Sequence, residues 1–287
     1  MKRMILLFGC SLSLLVSSGM AVFNPGITEA AGEVNLYSYR QPFLIKPILN
    51  KFTQNTGIKV NIMFAKKGIL EKIKATPGAA DAVLTSDIGS LNDLTEAGVL
   101  QPVKSKSLKQ NIPAAYRHPD GYWFGLTMRA RVLFVSKDRI EPGQVTSYED
   151  LTKPELRGRI CVRSGKHTYN ISLFASIITH KGEAFTRKWL KGLQANLARK
   201  PSGNDRAQAK AIYTGQCDIG IANTYYMGKM QTNKKKAAQK KWAASIRIVF
   251  PNQNDRGTHV NVSGGAITKG ARNLANAIKL LEFLSDT

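Results

Sequence analysis

Residues 34–64, VNLYSYRQPFLIKPILNKFTQNTGIKVNIMF, decide the fold, because they change hydrophobic period twice within one short stretch. Residues 34–37 alternate and predict a strand. In 42–55 the apolar residues Leu44, Ile45, Ile48, Leu49 and Phe52 recur at the three-and-four spacing of a helix face. Gly57 closes that helix, and 58–63 returns as a strand. The rhythm continues outward with a helix at 69–75, a strand at 82–84 and a helix at 88–97 ended by Gly98. Such βαβαβα alternation predicts an α/β fold with a mostly parallel sheet and helices on its faces.

A second set follows. Strands are predicted at 131–136 and 159–162, helices at 169–180, 183–196 and 205–214, and a strand at 218–222. After 246–250 the pattern restarts with strands at 259–262 and 266–268 and a last helix at 274–284. No repeat of fixed period and no long linker interrupts it. Two α/β lobes result, with ligand chemistry expected in the crevice beyond the strand ends.

The first 30 residues have a different character. Lys2 and Arg3 precede an apolar run from 4 to 16, and small and polar residues follow up to Ala30 and Ala31. This is the order of a secretory signal, and the run is too short for a permanent membrane span. The mature chain is therefore expected outside the cytoplasm. Losing the signal removes Cys10 and leaves Cys161 and Cys217 at the ends of predicted strands, as a disulfide or as two buried thiols.

Charge and motifs narrow the function. Lys and Arg number 42 against 19 Asp and Glu, a formal +23, so an anionic ligand, partner or surface is the first class to weigh. G-x-S-x-G, H-E-x-x-H, C-x-x-C and dinucleotide-type glycine spacings are all absent. His118, His167, His180 and His259 follow no metal-ligand spacing, and carboxylates are too scarce for oxygen-rich calcium or magnesium cages. No enzymatic activity is expected. The lysine-rich run 233–242 reads as a solvated face, and only Trp242 interleaves it, which disfavours nucleic acid.

The tyrosines carry more information. Tyr225 and Tyr226 stand directly after the predicted strand 218–222, where Asn223 or Thr224 can cap a helix that turns both phenols toward one cleft. Tyr169 occupies a similar place after the strand 159–162. The pattern alone leaves packing and ligand duty both open.

The stretches 35–41 (NLYSYRQ), 125–132 (GLTMRARV), 158–170 (GRICVRSGKHTYN), 198–208 (ARKPSGNDRAQ), 217–230 (CDIGIANTYYMGKM) and 250–264 (FPNQNDRGTHVNVSG) resemble the periplasmic ferric-iron-binding proteins, the capture components of iron ABC importers. The resemblance covers nearly all of the chain after residue 33. It implies the two-lobed, type II periplasmic binding protein fold, with lobes joined by crossover strands at 131–136 and 246–250 and closing on ligand. Lobe 1 would comprise 31–130 and 251–287, and lobe 2 would comprise 131–250. It further implies Tyr169, Tyr225 and Tyr226 as ligands of Fe3+, Arg40 as the holder of a synergistic anion such as carbonate, an inner-membrane ABC permease as partner, and a monomer in the periplasm. Many members place a His-Tyr pair after the Arg of the opening motif, where this chain has Gln41-Pro42. Tyr39, Gln41, the anion or water would then complete the coordination shell. Family members also run several tens of residues past the helix that ends here, which predicts uncovered apolar surface.

The chemistry of the residues agrees. Ferric iron is a hard trivalent ion that favours anionic oxygen, and it stabilises the phenolate of a tyrosine whose free pKa is ~10. Arg129 and Arg131 are further candidates to hold an anion, with a salt-bridge or interface role equally open. Two competing functions remain: a binding protein for a small oxyanion held by arginines, and an exported basic protein that adheres to polyanions or membranes.

Overall fold

A computed structural model describes residues 32–286; the expected signal segment and Cys10 lie outside the described residues. The first part of the chain forms β1 (Glu33–Ser38), α1 (Pro42–Thr56), β2 (Lys59–Phe64), α2 (Ile69–Ala75), β3 (Ala82–Leu84), α3 (Ile88–Glu96), β4 (Leu100–Gln101) and α4 (Lys106–Asn111). The long strand β5 (Phe124–Ser136) follows, then β6 (Ile160–Cys161), α5 (Thr168–Lys181), α6 (Glu183–Ala195), α7 (Asp205–Tyr213), β7 (Ile219–Asn223), α8 (Tyr225–Gln231), α9 (Ala238–Ala244), β8 (Ile246–Val249), β9 (Val260–Thr268) and α10 (Leu274–Ser285).

Local signals explain most of these boundaries. Pro42 opens α1, where its missing N–H costs nothing and its fixed φ suits the first turn. Gly57 ends the helix in the left-handed region at φ 72°. Asp87 caps α3 by accepting from the Ser90 amide at 2.9 Å. The apolar stripe of α1 is only partly covered: Ile45, Leu49 and Phe52 are buried, whereas Leu44 and Ile48 remain 40% and 45% exposed. Both line a groove of about 450 Å³ bordered by Phe283 and Leu284.

The sheet is mixed, not mostly parallel. β1 runs parallel to β2 and β3, and β6 parallel to β7, as βαβ units require. The remaining pairings, β3 and β4 with β9 and β5 with β7, β8 and β9, are antiparallel. Periodicity could not show this, because β5 and β9 enter from the opposite end of the sheet. The two short strands expected at 259–262 and 266–268 are one strand. Gly264 lies so close to the backbone of β5 that an added Cβ would sit 2.3 Å from the Phe124 carbonyl oxygen.

β5 joins the halves of the molecule. Its first part, up to Ala130, pairs with β9; from Arg131 onward it pairs with β7 and β8. The crossover strand is therefore longer than expected. β8, expected as the second crossover, lies beside the far part of β5, and the chain returns through 250–259 into β9. The backbone of Arg131 donates to the His259 carbonyl at 2.9 Å. The Tyr148 hydroxyl donates to the Arg131 carbonyl and accepts from the His259 amide at 3.2 Å.

Two sets of apolar clusters lie on either side of this junction. One gathers Leu36, Phe52, Leu84, Leu91, Leu280 and Leu281; the other gathers Leu133, Tyr148, Trp189, Ile212, Ile219 and Ile246. Cys161 and Cys217 form a disulfide, with Cα atoms 5.9 Å apart, that ties β6 to the turn before β7.

Candidate functional site

Between the halves lies a cleft of about 390 Å³, lined by Tyr39, Arg40, Gln41, Ser86, Thr127, Arg129, Tyr169, Tyr225, Lys229 and Ser263 with Leu44 and Met128, and among the described residues no carboxylate stands in its wall. Each tyrosine is placed by a strand end. β6 leads through a short loop into α5, whose first turn carries Tyr169; His167 caps that helix, its Nδ1 accepting from the Tyr169 amide at 3.2 Å. β7 leads straight into α8, whose first two residues are Tyr225 and Tyr226. The helix begins without a side-chain cap from Thr224, and the Asn223 side chain turns inward instead.

Two of the three phenols meet in this cleft, and Tyr226 stands against Tyr225 without itself lining the cleft. The Tyr169 and Tyr225 hydroxyls are 3.1 Å apart, and the Tyr225 and Tyr226 rings lie with centroids 4.4 Å apart. Burial, reinforced by hydrogen bonding to Tyr169 and Tyr226, pushes the Tyr225 hydroxyl well above the ordinary phenol range. Burial raises Tyr226 as well. Both shifts favour the neutral phenol, so a cation binding these oxygens must displace their protons.

A buried polar network holds this wall. Asp205, fully buried at the start of α7, accepts from Arg131 at 2.7 Å and from Arg163 at 2.9 Å. Arg131 also donates to Asn223 at 3.1 Å and Asn170 at 2.7 Å, and the Asn223 amide donates to Asp205 at 2.8 Å. The guanidinium carbons of Arg163, Arg129 and Arg131 lie 5.0, 5.3 and 5.7 Å from the Tyr169 ring centroid. Arg131 is thus a brace behind the tyrosines, only 2% exposed, with both terminal nitrogens engaged.

The opposite wall is looser. Arg40 faces the phenols; burial and the neighbouring Arg129 lower its pKa, and Tyr225 and Tyr169 oppose that shift. Arg129 lines the cleft while donating to the Ser86 carbonyl at 2.7 Å and to Ser263 at 3.3 Å. Gln41 is exposed at the mouth, its carbonyl receiving the first amides of α1. Tyr39 borders the cleft, but its hydroxyl oxygen accepts from the Ile69 amide at 2.9 Å, which directs it to the start of α2.

Several residues at the site were not legible beforehand. Lys229 places its ammonium 5.0 Å from the Tyr225 ring and 5.6 Å from the Phe43 ring of the facing wall. Arg206 lies 5.8 Å from the Tyr226 ring. Behind Tyr169, the Ser172 hydroxyl of α5 accepts from Asn261 of β9 at 2.8 Å and is hydrogen-bonded to His259 Nε2 at 3.1 Å, linking the tyrosine-bearing helix to the other half. The His259 imidazole is held neutral, its pKa lowered to about 4 by burial and by Arg129, Arg131 and Arg256. Only the i+3 spacing of Ser172 from Tyr169 on one helix offered a sequence signal for this contact.

The donor set suits a hard, oxygen-loving cation more than a soft one. Among the described residues no group of His, Cys, Asp and Glu could hold a metal ion, so the phenolic oxygens are the anionic ligands on offer.

Known proteins resemble this chain over most of its length. A family model described as a bacterial extracellular solute-binding protein matches residues 79–287. Iron uptake protein A1 of Synechocystis is 43% identical over 94% of this chain and 76% of its own length. Among solved structures, the ferric iron-binding protein A of Mannheimia haemolytica in an open conformation superposes with a TM-score of 0.81 at 50% identity, covering 89% of this chain and 81% of that one. The Trichodesmium protein in complex with iron and citrate ligands gives 0.83 at 42% identity, with 89% and 81% covered.

Proposed function

The chain belongs to the bacterial extracellular solute-binding proteins, and from that premise we propose that it captures ferric iron with Tyr169, Tyr225 and Tyr226 and delivers it to an inner-membrane ABC permease. The observation that carries this is the meeting of the Tyr169 and Tyr225 hydroxyls at 3.1 Å, beside Tyr226, in a cleft without carboxylates. Three phenolates balance one Fe3+. Arg40, with Arg129 beside it, is positioned to receive carbonate or another small anion that fills part of the remaining shell. Gln41 and Tyr39 stand at the same mouth, with Tyr39 available only if its bond to Ile69 is released. The moving bodies are 31–130 with 251–287, and 131–250, hinged at β5 and at 250–259. The protein works as a periplasmic monomer and catalyses no reaction.

The test is a titration of the purified mature chain with ferric citrate. A phenolate-to-iron charge-transfer band that saturates at one iron per chain is expected, and it is lost in Tyr225→Phe. A colourless titration overturns the proposal.

A second reading is favoured by Arg40, Arg129 and Lys229 around the cleft: a small oxyanion held by cations alone. It predicts anion binding without colour, unchanged in Tyr225→Phe.

A further inference from the structure

The charge of this chain is not spread evenly. From residue 219 to 254 there is no Asp or Glu, while Lys229, Lys234, Lys235, Lys236, Lys240, Lys241 and Arg247 all fall there. The fold gathers this segment with α7, because α9 packs against both α7 and α8. Lys234, Lys235, Lys236, Lys240 and Lys241 are exposed, and so is Lys210 of α7, whose ammonium lies 5.9 Å from the Trp242 ring. The flanking acids Asp218 and Asp255 are paired elsewhere, with Arg139 and Arg159 and with Lys181 and Arg256, and Asp205 of α7 is consumed by Arg131 and Arg163. Among the described residues none of these six lysines forms an ion pair.

The run is also structured. The Asn233 side chain accepts from the amides of Lys235 and Lys236, each at 3.0 Å, and donates to Gln239 at 2.9 Å. These bonds fix the three consecutive lysines onto the start of α9.

We propose that the α7–α9 face is a docking surface for anionic phospholipid, holding the protein at the membrane where a solute-binding protein must deliver its cargo. The chemistry favours lipid over a protein partner. Ammonium groups on long flexible stems suit a diffuse sheet of headgroups, whereas protein interfaces enrich Arg and deplete Lys. The face carries no pocket among those that line the cleft or the apolar grooves. The attraction is independent of the cargo, so it stands or falls separately from iron capture.

The experiment is co-sedimentation of the mature chain with vesicles of phosphatidylglycerol and phosphatidylcholine, against phosphatidylcholine alone, at low and at physiological salt. The wild-type chain is expected to bind the anionic vesicles and not the neutral ones, more weakly as salt rises. The quadruple variant K235Q/K236Q/K240Q/K241Q is expected to lose at least about tenfold in partitioning, since each lysine near the surface contributes separately. A charge-matched control, K59Q/K72Q/K74Q/K109Q, removes four exposed lysines from the other half and should stay within about twofold. Both variants should keep the thermal midpoint of the wild type. Equal loss in the two variants, or equal binding to neutral vesicles, overturns the proposal. So does a wild-type chain that ignores phosphatidylglycerol yet is retained by native membrane vesicles only before these are treated with protease, since that outcome assigns the face to a protein.

Discussion

The two walls of the cleft are built on opposite plans. The wall carrying Tyr169, Tyr225 and Tyr226 is set at the ends of β6 and β7 and braced from behind by the buried Arg131, Arg163, Asp205, Asn170 and Asn223 network. The facing wall offers Arg40, Gln41 and Tyr39 from the loop between β1 and α1, beside Phe43, which is 64% exposed. Oxygen ligands that must lose protons together need fixed positions, and rigid elements supply them. A facing wall that closes over cargo, and accepts whichever small anion accompanies it, does not. If the proposed function holds, the contrast would place selectivity for the cation in one half and leave the other to complete the shell.

The largest expected effect breaks the rigid wall. Asp205→Ala leaves Arg131 and Arg163 buried without a counter-charge, and should cost about 3–5 kcal/mol in denaturant unfolding. An Asp205→Ala chain as stable as wild type would show that the network is not the support described. Next comes proton release. Because burial raises Tyr225 and Tyr226 toward the neutral phenol, iron binding in a pH-stat should release about two or more protons per ion, and affinity should weaken as pH falls. A release near zero would mean the phenols do not ionise. On the facing wall, Arg40→Gln should weaken iron retention about tenfold in carbonate-containing buffer and far less in its absence, as expected for a charge-assisted bond to an anion. The smallest effect is expected at Gln41. Replacing it with Ala should change retention by less than about threefold, because its side chain stands at the exposed mouth. A larger loss would promote Gln41 to a ligand and erase the asymmetry between the walls.

Much of the fold could be read from local pattern. The period of α1, the capping Gly57 and the strand before Tyr225 are short-range signals, and the structure follows them within a residue or two. The cleft tyrosines were legible for the same reason, since strand ends place side chains in a crevice, and the resemblance to iron-binding proteins then singled them out. What escaped was long-range. Arg131 and Asp205 are 74 residues apart, and a buried ion pair leaves no periodic trace. The antiparallel course of β5 and β9 was hidden because a strand reads the same in either direction. Leu44 and Ile48 belong to the apolar stripe of α1 by spacing, yet nothing among the described residues covers them fully. Spacing marks the face of a helix, and only the neighbours decide how much of that face is buried.

Tyr148 has a mechanical consequence. One phenolic oxygen bonds the backbone of both connecting segments, at Arg131 and at His259, where they run side by side. Any opening that preserves those bonds must swing about an axis close to that atom, so displacement is least there and grows with distance toward the mouth. If the halves open as proposed, a door hung in this way would widen first at its free edge and least at the pivot.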